Sequence, residues 1–168
     1  EMVEKDYLTG LYNMRSMYDR IDYELKRARR FKRTVSCLMI DMDHFKRVND
    51  DHDHLFGSFV LKEVGQLIRE NLREIDFAAR YGGDEFLVVI TETDEQGIKV
   101  VSERLRKKIQ DHVFTNDKDS IQLTVSMGYS IFNPENPAVD ARALVREADQ
   151  ALYESKRNGR NRVTKFSA

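Results

Sequence analysis

The sequence predicts one domain of the α/β or α+β class, in which helices cover a central sheet. Helix-like and strand-like segments alternate along the 168 residues, and such alternation is typical of a sheet packed against helices on one face or both. The length fits a single domain of ~100–200 residues. With only 2 prolines and 40% hydrophobic residues, the composition favours folded, helix-rich structure over disorder.

Apolar residues at three- and four-residue spacing mark the helices. The predicted helices cover residues 14–31, residues 56–72, a stretch through Ile109 that opens with a Thr93–Gln96 capping box, and residues 141–157. Gly159 follows the last helix at a position that suits a C-cap. The predicted order is helix, strand, helix, helix, hairpin, helix, strand, helix.

Apolar and alternating runs mark the strands. The predicted strands are residues 35–40, 77–81, 85–90 and 121–132, with a short edge strand at 163–166. The first run is almost wholly apolar, as expected for a central strand buried on both faces. Gly82 and Gly83 separate the second and third strands, and we expect them to supply the positive φ of a tight hairpin turn.

The charge balance and the cysteine count exclude several classes of protein. Lys+Arg 28 against Asp+Glu 29 leaves a net charge of −1, so no cationic surface for coating DNA or RNA is expected. No apolar run reaches the ~18 residues of a membrane span, and no signal peptide is visible. The single cysteine, Cys37, cannot form an internal disulfide, which favours a reducing compartment. We expect a cytoplasmic domain without nucleic-acid or membrane contacts, although the full-length protein could be anchored in a membrane.

Two acidic features are candidates for chemistry. A buried-type strand delivers Asp41 and Asp43 at its C-terminal end, and the predicted hairpin has the tip Gly82-Gly83-Asp84-Glu85. Such carboxylates suit a hard divalent cation, because Mg²⁺ prefers oxygen ligands, and the glycines would let a triphosphate approach the main chain. The candidate partners of its phosphate oxygens are Lys46, Lys156 and Arg160. The alternative is a strand end, a solvated turn and ordinary surface acids.

Four segments resemble the signature motifs of the GGDEF domains, the diguanylate cyclases. Gly82-Gly83-Asp84-Glu85-Phe86, preceded by Arg80-Tyr81, resembles the motif that names the family. Residues 6–13 resemble its opening motif, residues 41–50 its metal and nucleotide segment, and residues 159–163 its closing one. The resemblance covers almost the whole chain. Residues 6–168 are expected to form the domain, and residues 1–5 the tail of an upstream linker helix.

The resemblance implies an α+β fold like the palm of nucleotide cyclases and polymerases, with a central, mainly antiparallel sheet surrounded by helices. It also implies a reaction in a homodimer. Each protomer binds one nucleoside triphosphate, and each 3′-hydroxyl attacks the α-phosphate of the opposite substrate, so that two pyrophosphates leave and a cyclic dinucleotide forms. Metal ions can activate the hydroxyl and stabilise the leaving oxygens. We expect an upstream sensory or receiver domain in the full-length protein.

The same resemblance assigns roles to individual residues. Asp41, Asp84 and Glu85, with the Met42 carbonyl, would hold Mg²⁺ or Mn²⁺. Asp84, Glu85 and Lys46 would be catalytic, and the sequence leaves open which acid takes the proton. The residues expected to bind the substrate are His44, Phe45, Lys46, Asn49, His54, Ser58, Gly82, Gly83, Lys156 and Arg160.

Some of these residues have structural alternatives. Within the resemblance Asn49 would read the base edge, whereas helix capping would equally explain Asn49 and His54. Lys156 and Arg160 would also suit the cationic C-terminus of a helix, a role that can coexist with phosphate binding.

Two positions depart from the family pattern. Asp53 stands where the family usually has Gly, and since Asp tolerates a left-handed backbone, we expect a small cost and no lost function. Ser58 stands where the family has an Asp that accepts hydrogen bonds from guanine. A serine hydroxyl donates as well as accepts, and a subgroup with Ser there makes cyclic AMP-GMP alongside cyclic di-GMP and cyclic di-AMP. We therefore expect GTP and ATP as substrates; the alternative is neutral drift, with Asn49 alone holding guanine.

The segment Arg73-Glu74-Ile75-Asp76 resembles the family's inhibitory site for its product, to which Arg104 of a neighbouring protomer would contribute. Arginine forks suit guanine edges and phosphates, so cyclic di-GMP would bind there. The alternative is an i,i+3 surface salt bridge. The enzyme hypothesis has two rivals, a catalytically weak cyclic di-GMP receptor and a dimerisation module. The intact motif at residues 82–86 favours the enzyme.

Overall fold

The computed structural model describes residues 4–135 and 139–168, which form five helices and seven strands. The helices are α1 (Met14–Phe31), α2 (Phe45–Asp51), α3 (His54–Glu70), α4 (Glu95–Asp111) and α5 (Ala141–Arg157). The strands are β1 (Val35–Met42), β2 (Phe77–Arg80), β3 (Glu85–Thr91), β4 (Phe114–Thr115), β5 (Ser120–Ile121), β6 (Val125–Phe132) and β7 (Val163–Lys165).

Five strands form the central sheet, in the order β2-β3-β1-β6-β7. The pairings β2–β3, β3–β1 and β1–β6 are antiparallel, and the edge pairing β6–β7 is parallel. β4 and β5 form a separate two-stranded sheet. This mixed, mainly antiparallel sheet with its surrounding helices confirms the predicted α+β fold. The described helices include none with the length and apolar character that a bilayer crossing requires.

The central strand β1 is buried along its whole length. Leu38 and Ile40 belong to a core shared with α2, α3 and α4, whereas Cys37 and Met39 belong to a second core shared with α1 and α5. Successive strand residues alternate between the two faces, which explains the nearly continuous apolar run and confirms the predicted two-sided burial. The same alternation places Asp41 on the face of the sheet that α5 covers.

Two helices match their predicted bounds. α1 and α5 cover residues 14–31 and 141–157, since each combines a clear apolar face with an N-cap side chain, Asn13 or Asp140. The C-cap of α5 is Asn158, and the next residue, Gly159, has a φ of 119°. Residues 1–3 of the expected linker tail lie outside the described residues.

The predicted start of α4 is wrong by one residue. The N-cap is Asp94, which accepts a hydrogen bond from the Gly97 amide at 2.8 Å, so the expected Thr93–Gln96 capping box does not form. Aspartate is as strong an N-cap as threonine or stronger. The carbonyl of the adjacent Thr93 accepts a hydrogen bond from the Thr34 hydroxyl.

The predicted strand at residues 121–132 is split into β5 and β6, and residues 122–124 belong to neither. The cause is a tertiary contact at Thr124. Its carbonyl accepts from the Asp43 amide at 2.9 Å, and its hydroxyl donates to the Asp43 carboxylate at 2.7 Å. Thr124 therefore serves the end of β1, and strand pairing resumes at Val125.

Candidate functional site

The site is built around a pair of acids on neighbouring strands. The antiparallel register sets Asp41 of β1 directly opposite Glu85 of β3, and directly opposed residues point to the same face of a sheet. The Asp41 side chain forms an ion pair through Oδ2 with Lys156 of α5. Its other oxygen, Oδ1, is buried and has no hydrogen-bond partner among the residues that the structure describes. A buried carboxylate oxygen without a donor calls for a cation or a proton.

The electrostatics of the pair agree with that need. Burial raises the pKa of Asp41, the negative charges of Asp84 and Asp43 add to the rise, and Lys156 opposes it. Burial likewise raises the pKa of Glu85, and the charge of Asp41 raises it further. Ionising either acid therefore costs more free energy than ionising a solvated carboxyl group, and a cation between the two acids would lower that cost.

The described residues include no group of three or more acids, histidines or cysteines that could hold a metal ion. Asp41 and Glu85 would thus supply part of a coordination shell. Mg²⁺ commonly binds in this way, through one or two carboxylates with substrate phosphates and waters completing the shell. The chemistry of the donors fits a hard divalent cation. The Met42 amide donates to the Asp84 carbonyl at 3.2 Å, which holds the hairpin turn against the end of β1.

Asp43, two residues beyond Asp41, is a structural anchor. Its carboxylate accepts from the hydroxyls of Thr124 and Ser126, both at 2.7 Å, and from the Asn161 amide at 3.1 Å. Arg160 lies 3.8 Å from the same carboxylate. Asp43 thereby joins β1 to the segment that follows α5. Lys156 and Arg160, predicted to bind phosphate, both contact strand-end acids in this structure.

The turn between β2 and β3 differs from its predicted form. Neither Gly82 nor Gly83 has a φ in the left-handed region, so the expectation that they supply a positive φ is wrong. The connection is four residues long, and the Tyr81 amide closes it by donating to the Glu85 carbonyl at 2.8 Å. A longer loop turns without the mirror-image conformations of a two-residue hairpin. A Cβ on Gly83 would meet no atom within 4 Å, so its backbone faces open space.

Arg80 holds this turn, a role that the sequence analysis missed. Its Nη2 donates to the Gly83 carbonyl at 2.8 Å, and its Nε donates to the Gly82 carbonyl at 3.2 Å. Its Nη1 lies 3.4 Å from Asp6, whose other oxygen accepts from the Thr9 amide and hydroxyl at 2.9 and 2.7 Å. The opening motif and the glycine turn are therefore joined through one guanidinium. The position of Arg80 directly before the turn was the available signal.

A cleft of about 380 Å³ lies beside the turn. Its lining residues are Phe45, Lys46, Asn49, His54, Gly57, Ser58, Leu61, Arg80, Gly83 and Asp84. Six residues of the predicted substrate site thus come together from α2, α3 and the turn, along with the predicted catalytic acid Asp84. Gly57 allows α2 and α3 to approach closely there, because a Cβ at this position would lie 2.0 Å from Asn49 Oδ1.

The capping alternatives for Asn49 and His54 do not describe this structure. Asn49 lies inside α2, and His54 is the first residue of α3. The N-cap of α3 is Asp53, whose side chain accepts from the Phe56 amide at 2.8 Å. The φ of Asp53 is −137°, so the left-handed backbone expected at this position is wrong, and the aspartate is a favourable cap.

The remaining predicted site residues do not line the cleft. His44 has a φ of 57° and is exposed at the start of α2, where it makes no side-chain capping bond. Gly82 lies in the turn, and a Cβ there would come within 3.0 Å of Glu85 Oε1. Met42 ends β1 with its side chain in the core.

The predicted inhibitory residues form a compact pair and a separate arginine. The Arg73 guanidinium donates twice to Asp76, both at 3.0 Å, and also donates to the Thr91 carbonyl at 2.6 Å. The Asp76 side chain is only 2% exposed. Arg104 donates to the Asn71 carbonyl at 3.1 Å and is exposed. Asp76 is thus fully engaged within the chain, as the salt-bridge alternative expects.

Fold and site together define a class: a palm-like, helix-covered sheet in which acids on two neighbouring strands face each other beside a polar cleft. A family model described as diguanylate cyclase, GGDEF domain, matches residues 3–162. The chain is 43% identical over 142 residues to diguanylate cyclase A of Treponema denticola, covering 84% of this chain and 38% of that protein. It is 36% identical over 165 residues to the response regulator PleD of Caulobacter vibrioides, covering 97% and 36%.

Solved structures agree with these matches. The GGDEF domain of DgcB from Caulobacter crescentus, in complex with c-di-GMP, superposes with a TM-score of 0.92 at 30% identity, covering 100% of this chain and 98% of that one. The chain therefore belongs to the GGDEF domain family. It spans a little over a third of the length of the curated relatives described above.

Proposed function

We propose that this domain is a cyclic dinucleotide synthase. It condenses two nucleoside triphosphates, GTP and also ATP, into cyclic di-GMP and cyclic AMP-GMP with release of pyrophosphate. The observation that carries the proposal is the cleft that gathers Lys46, Asn49 and Ser58 and reaches Asp84, next in sequence to the paired acid Glu85. Relatives that are named diguanylate cyclases support the same reaction class.

Asp41, Asp84, Glu85 and the Met42 carbonyl would hold the divalent cation, Mg²⁺ or Mn²⁺. The support is the buried Oδ1 of Asp41, for which the described part of the chain offers no hydrogen-bond partner, and the raised pKa values of Asp41 and Glu85. When bound, such a cation neutralises phosphate charge and activates the attacking hydroxyl. The Lys156 ammonium already lies against Asp41, so this position accepts positive charge.

The protein's own groups would orient and neutralise the triphosphate. Lys46 is exposed on the cleft wall and would pair with phosphate oxygens, as would Lys156 and Arg160 once released from their acids. The open backbone at Gly83 leaves space for the phosphate chain. Asp84 lines the cleft and Glu85 follows it directly in the sequence, so these two acids are the candidates to accept the 3′-hydroxyl proton.

Asn49 and Ser58 would read the base, since they face the same cleft from α2 and α3. A carboxylate at position 58 could only accept, which suits the N1–H and N2–H₂ groups of guanine. The Ser58 hydroxyl can also donate to N1 of adenine. Replacing a charged acceptor by a hydroxyl should therefore weaken discrimination between the bases, by ~1–3 kcal/mol for one such contact.

The test is product analysis by mass spectrometry after incubation with Mg²⁺ and equal GTP and ATP. We expect cyclic AMP-GMP together with cyclic di-GMP from the wild type, and a pool shifted to cyclic di-GMP from Ser58→Asp. Glu85→Ala should lower pyrophosphate release on the order of 10²-fold while the protein stays folded. A wild-type pool of cyclic di-GMP alone would refute ATP use. Cyclic di-GMP binding without pyrophosphate release would instead identify the receptor.

The proposed inhibitory site uses Arg73, Asp76 and Arg104 to bind cyclic di-GMP. Support comes from the two exposed arginines; Asp76 would accept from guanine only after Arg73 turns away, since the two are bonded in this structure. Calorimetric titration should show weaker binding for both Arg73→Ala and Arg104→Ala. Arg104→Ala is the cleaner variant, because Arg73→Ala also leaves the buried Asp76 unpaired. Unchanged affinity in both variants would refute the site.

A further inference from the structure

The corner between α2 and α3 supports two walls of the cleft. α2 carries Lys46 and Asn49, and α3 carries His54 and Ser58, with only residues 52 and 53 between the helices. α2 has seven residues, and a helix of that length is not stable on its own in water. Its position must therefore come from packing and from side-chain contacts at its ends.

His52, at the C-cap of α2, contacts three elements at this corner. Its Nδ1 lies 2.7 Å from Asp119 Oδ1, directly before β5. Its ring packs on Phe56 of α3, with 4.8 Å between the ring centroids, and its amide donates to the Val48 carbonyl within α2 at 3.0 Å. The side chain is 19% exposed and that of Asp119 30%, so water screens this pair less than a surface pair.

The loop that presents Asp119 is itself ordered by a local turn. Asn116 Oδ1 accepts from the amides of Lys118 and Asp119 at 3.1 and 2.8 Å, and the Asn116 amide donates to the Asp119 carbonyl at 3.0 Å. Asparagine side chains commonly stabilise turns in this way. Asp119 is therefore held in place to meet the α2–α3 corner.

We propose that the His52–Asp119 pair is a positioning device for the nucleotide cleft, which fixes the spacing of Asn49 and Ser58. The inference rests on the proposed function. Neither member of the pair lines the cleft, so the pair acts through α2. The packing of α2 against α3 is close there, because a Cβ at Gly57 would lie 2.0 Å from Asn49 Oδ1. A small shift of α2 would move the asparagine relative to the base.

The chain contains a matched control pair. His112 Nε2 lies 2.8 Å from Glu63 Oε1, and the His112 ring packs on Phe114 with 4.5 Å between centroids. The side chains are 33% and 31% exposed. This pair joins the end of α4 to α3, and neither member lines the cleft. It has the same chemistry as the His52–Asp119 pair but does not lie at the corner between α2 and α3.

The experiment compares Asp119→Ala with Glu63→Ala, each of which removes the acid and leaves the histidine. We expect Asp119→Ala to raise the KM for GTP roughly tenfold, the loss of about one charge-assisted hydrogen bond, with kcat nearly unchanged. Glu63→Ala should leave both constants within about twofold. Equal effects of the two substitutions on KM would overturn the proposal.

A second readout does not need turnover. Amide hydrogen exchange in the nucleotide-free protein should show lost protection at residues 45–58 in Asp119→Ala, and not in Glu63→Ala. His52→Phe, which keeps a ring against Phe56 and removes the polar contact, should reproduce the loss. Unchanged protection in both Asp119→Ala and His52→Phe would overturn the positioning role, even if the wild type bound no nucleotide. Absence of wild-type binding to a non-hydrolysable GTP analogue would count against the proposed function alone.

Discussion

At the residue scale, keeping the buried acid pair charged costs the folded chain free energy. Asp41 lies among core residues, opposite Glu85 and close enough to Asp84 and Asp43 for their charges to raise its pKa. Lys156 pairs with one oxygen, and the other has no hydrogen-bond partner within residues 4–135 and 139–168. A hydrophobic or amide side chain would suit the folded chain better at this point. The carboxylate is therefore best explained by a ligand that brings positive charge.

We predict that Asp41→Asn stabilises the ligand-free protein near neutral pH and abolishes turnover. The sign follows from the raised pKa, because the native state binds a proton here more readily than the unfolded chain. The wild type therefore loses stability as pH rises from the unfolded value of about 4 through the raised pKa, and the asparagine variant does not. Melting temperatures measured across pH 4 to 8 should diverge by a few °C toward neutral pH.

Asp22→Asn, on the exposed face of α1, is the control for that comparison. It removes one negative charge from an exposed side chain, so we expect its melting temperature to stay close to that of the wild type across the same pH range. If the difference in melting temperature between Asp41→Asn and the wild type narrowed as the pH rose, the raised pKa of Asp41 could not be its cause.

At the element scale, the glycine turn has its shape because another element holds it. Arg80 leaves β2 and bonds the carbonyls of Gly82 and Gly83, and it also meets Asp6 of the opening motif. The turn glycines themselves contribute little to its rigidity, since glycine is the most flexible residue in the unfolded chain. The guanidinium is needed because its planar fork presents several donors at once.

We predict that Arg80→Ala lowers turnover more than it lowers stability. The turn would lose its two side-chain donors and become mobile, so Asp84 and Glu85 would no longer be held in register with Asp41. Turnover should fall on the order of 10²-fold, the size of effect seen when reacting groups are misplaced by about 1 Å. Arg80→Lys, with one donor centre, should give an intermediate loss. Turnover of Arg80→Ala within twofold of wild type would show that the turn needs no such support.

The elements also show what the sequence could predict. α1 and α5 have long apolar faces and N-cap residues, and both were predicted to the residue, because helix formation depends on neighbours within one or two turns. The break in the strand at 121–132 depends on Thr124 bonding Asp43, a contact 81 residues away. The cleft residues could be named through a family resemblance. The support that Arg80 and His52 give them depends on tertiary contacts, which spacing alone does not reveal.

At the scale of the whole molecule, one copy of this chain has one acid pair and one cleft of this composition among the described residues. The proposed product contains two nucleotides and two new phosphodiester bonds. If the chain makes this product, we expect the clefts of two copies to face each other. Each acid pair would then activate one hydroxyl, and both attacks are needed to close the ring. A closed two-fold dimer is the simplest assembly that provides this arrangement.

We predict that an inactive copy suppresses product formation by the wild-type copy with which it pairs. If Glu85→Ala folds and pairs normally with the wild type, random mixing at equal amounts leaves about one quarter of dimers with two intact sites. Cyclic dinucleotide formation at constant total protein should therefore fall to about one quarter of the wild-type rate, measured where specific activity still rises with protein concentration. A fall to one half, in proportion to the wild-type fraction, would mean that each copy completes the reaction alone. The two-cleft assembly would then be wrong even though the chemistry of the acid pair remained.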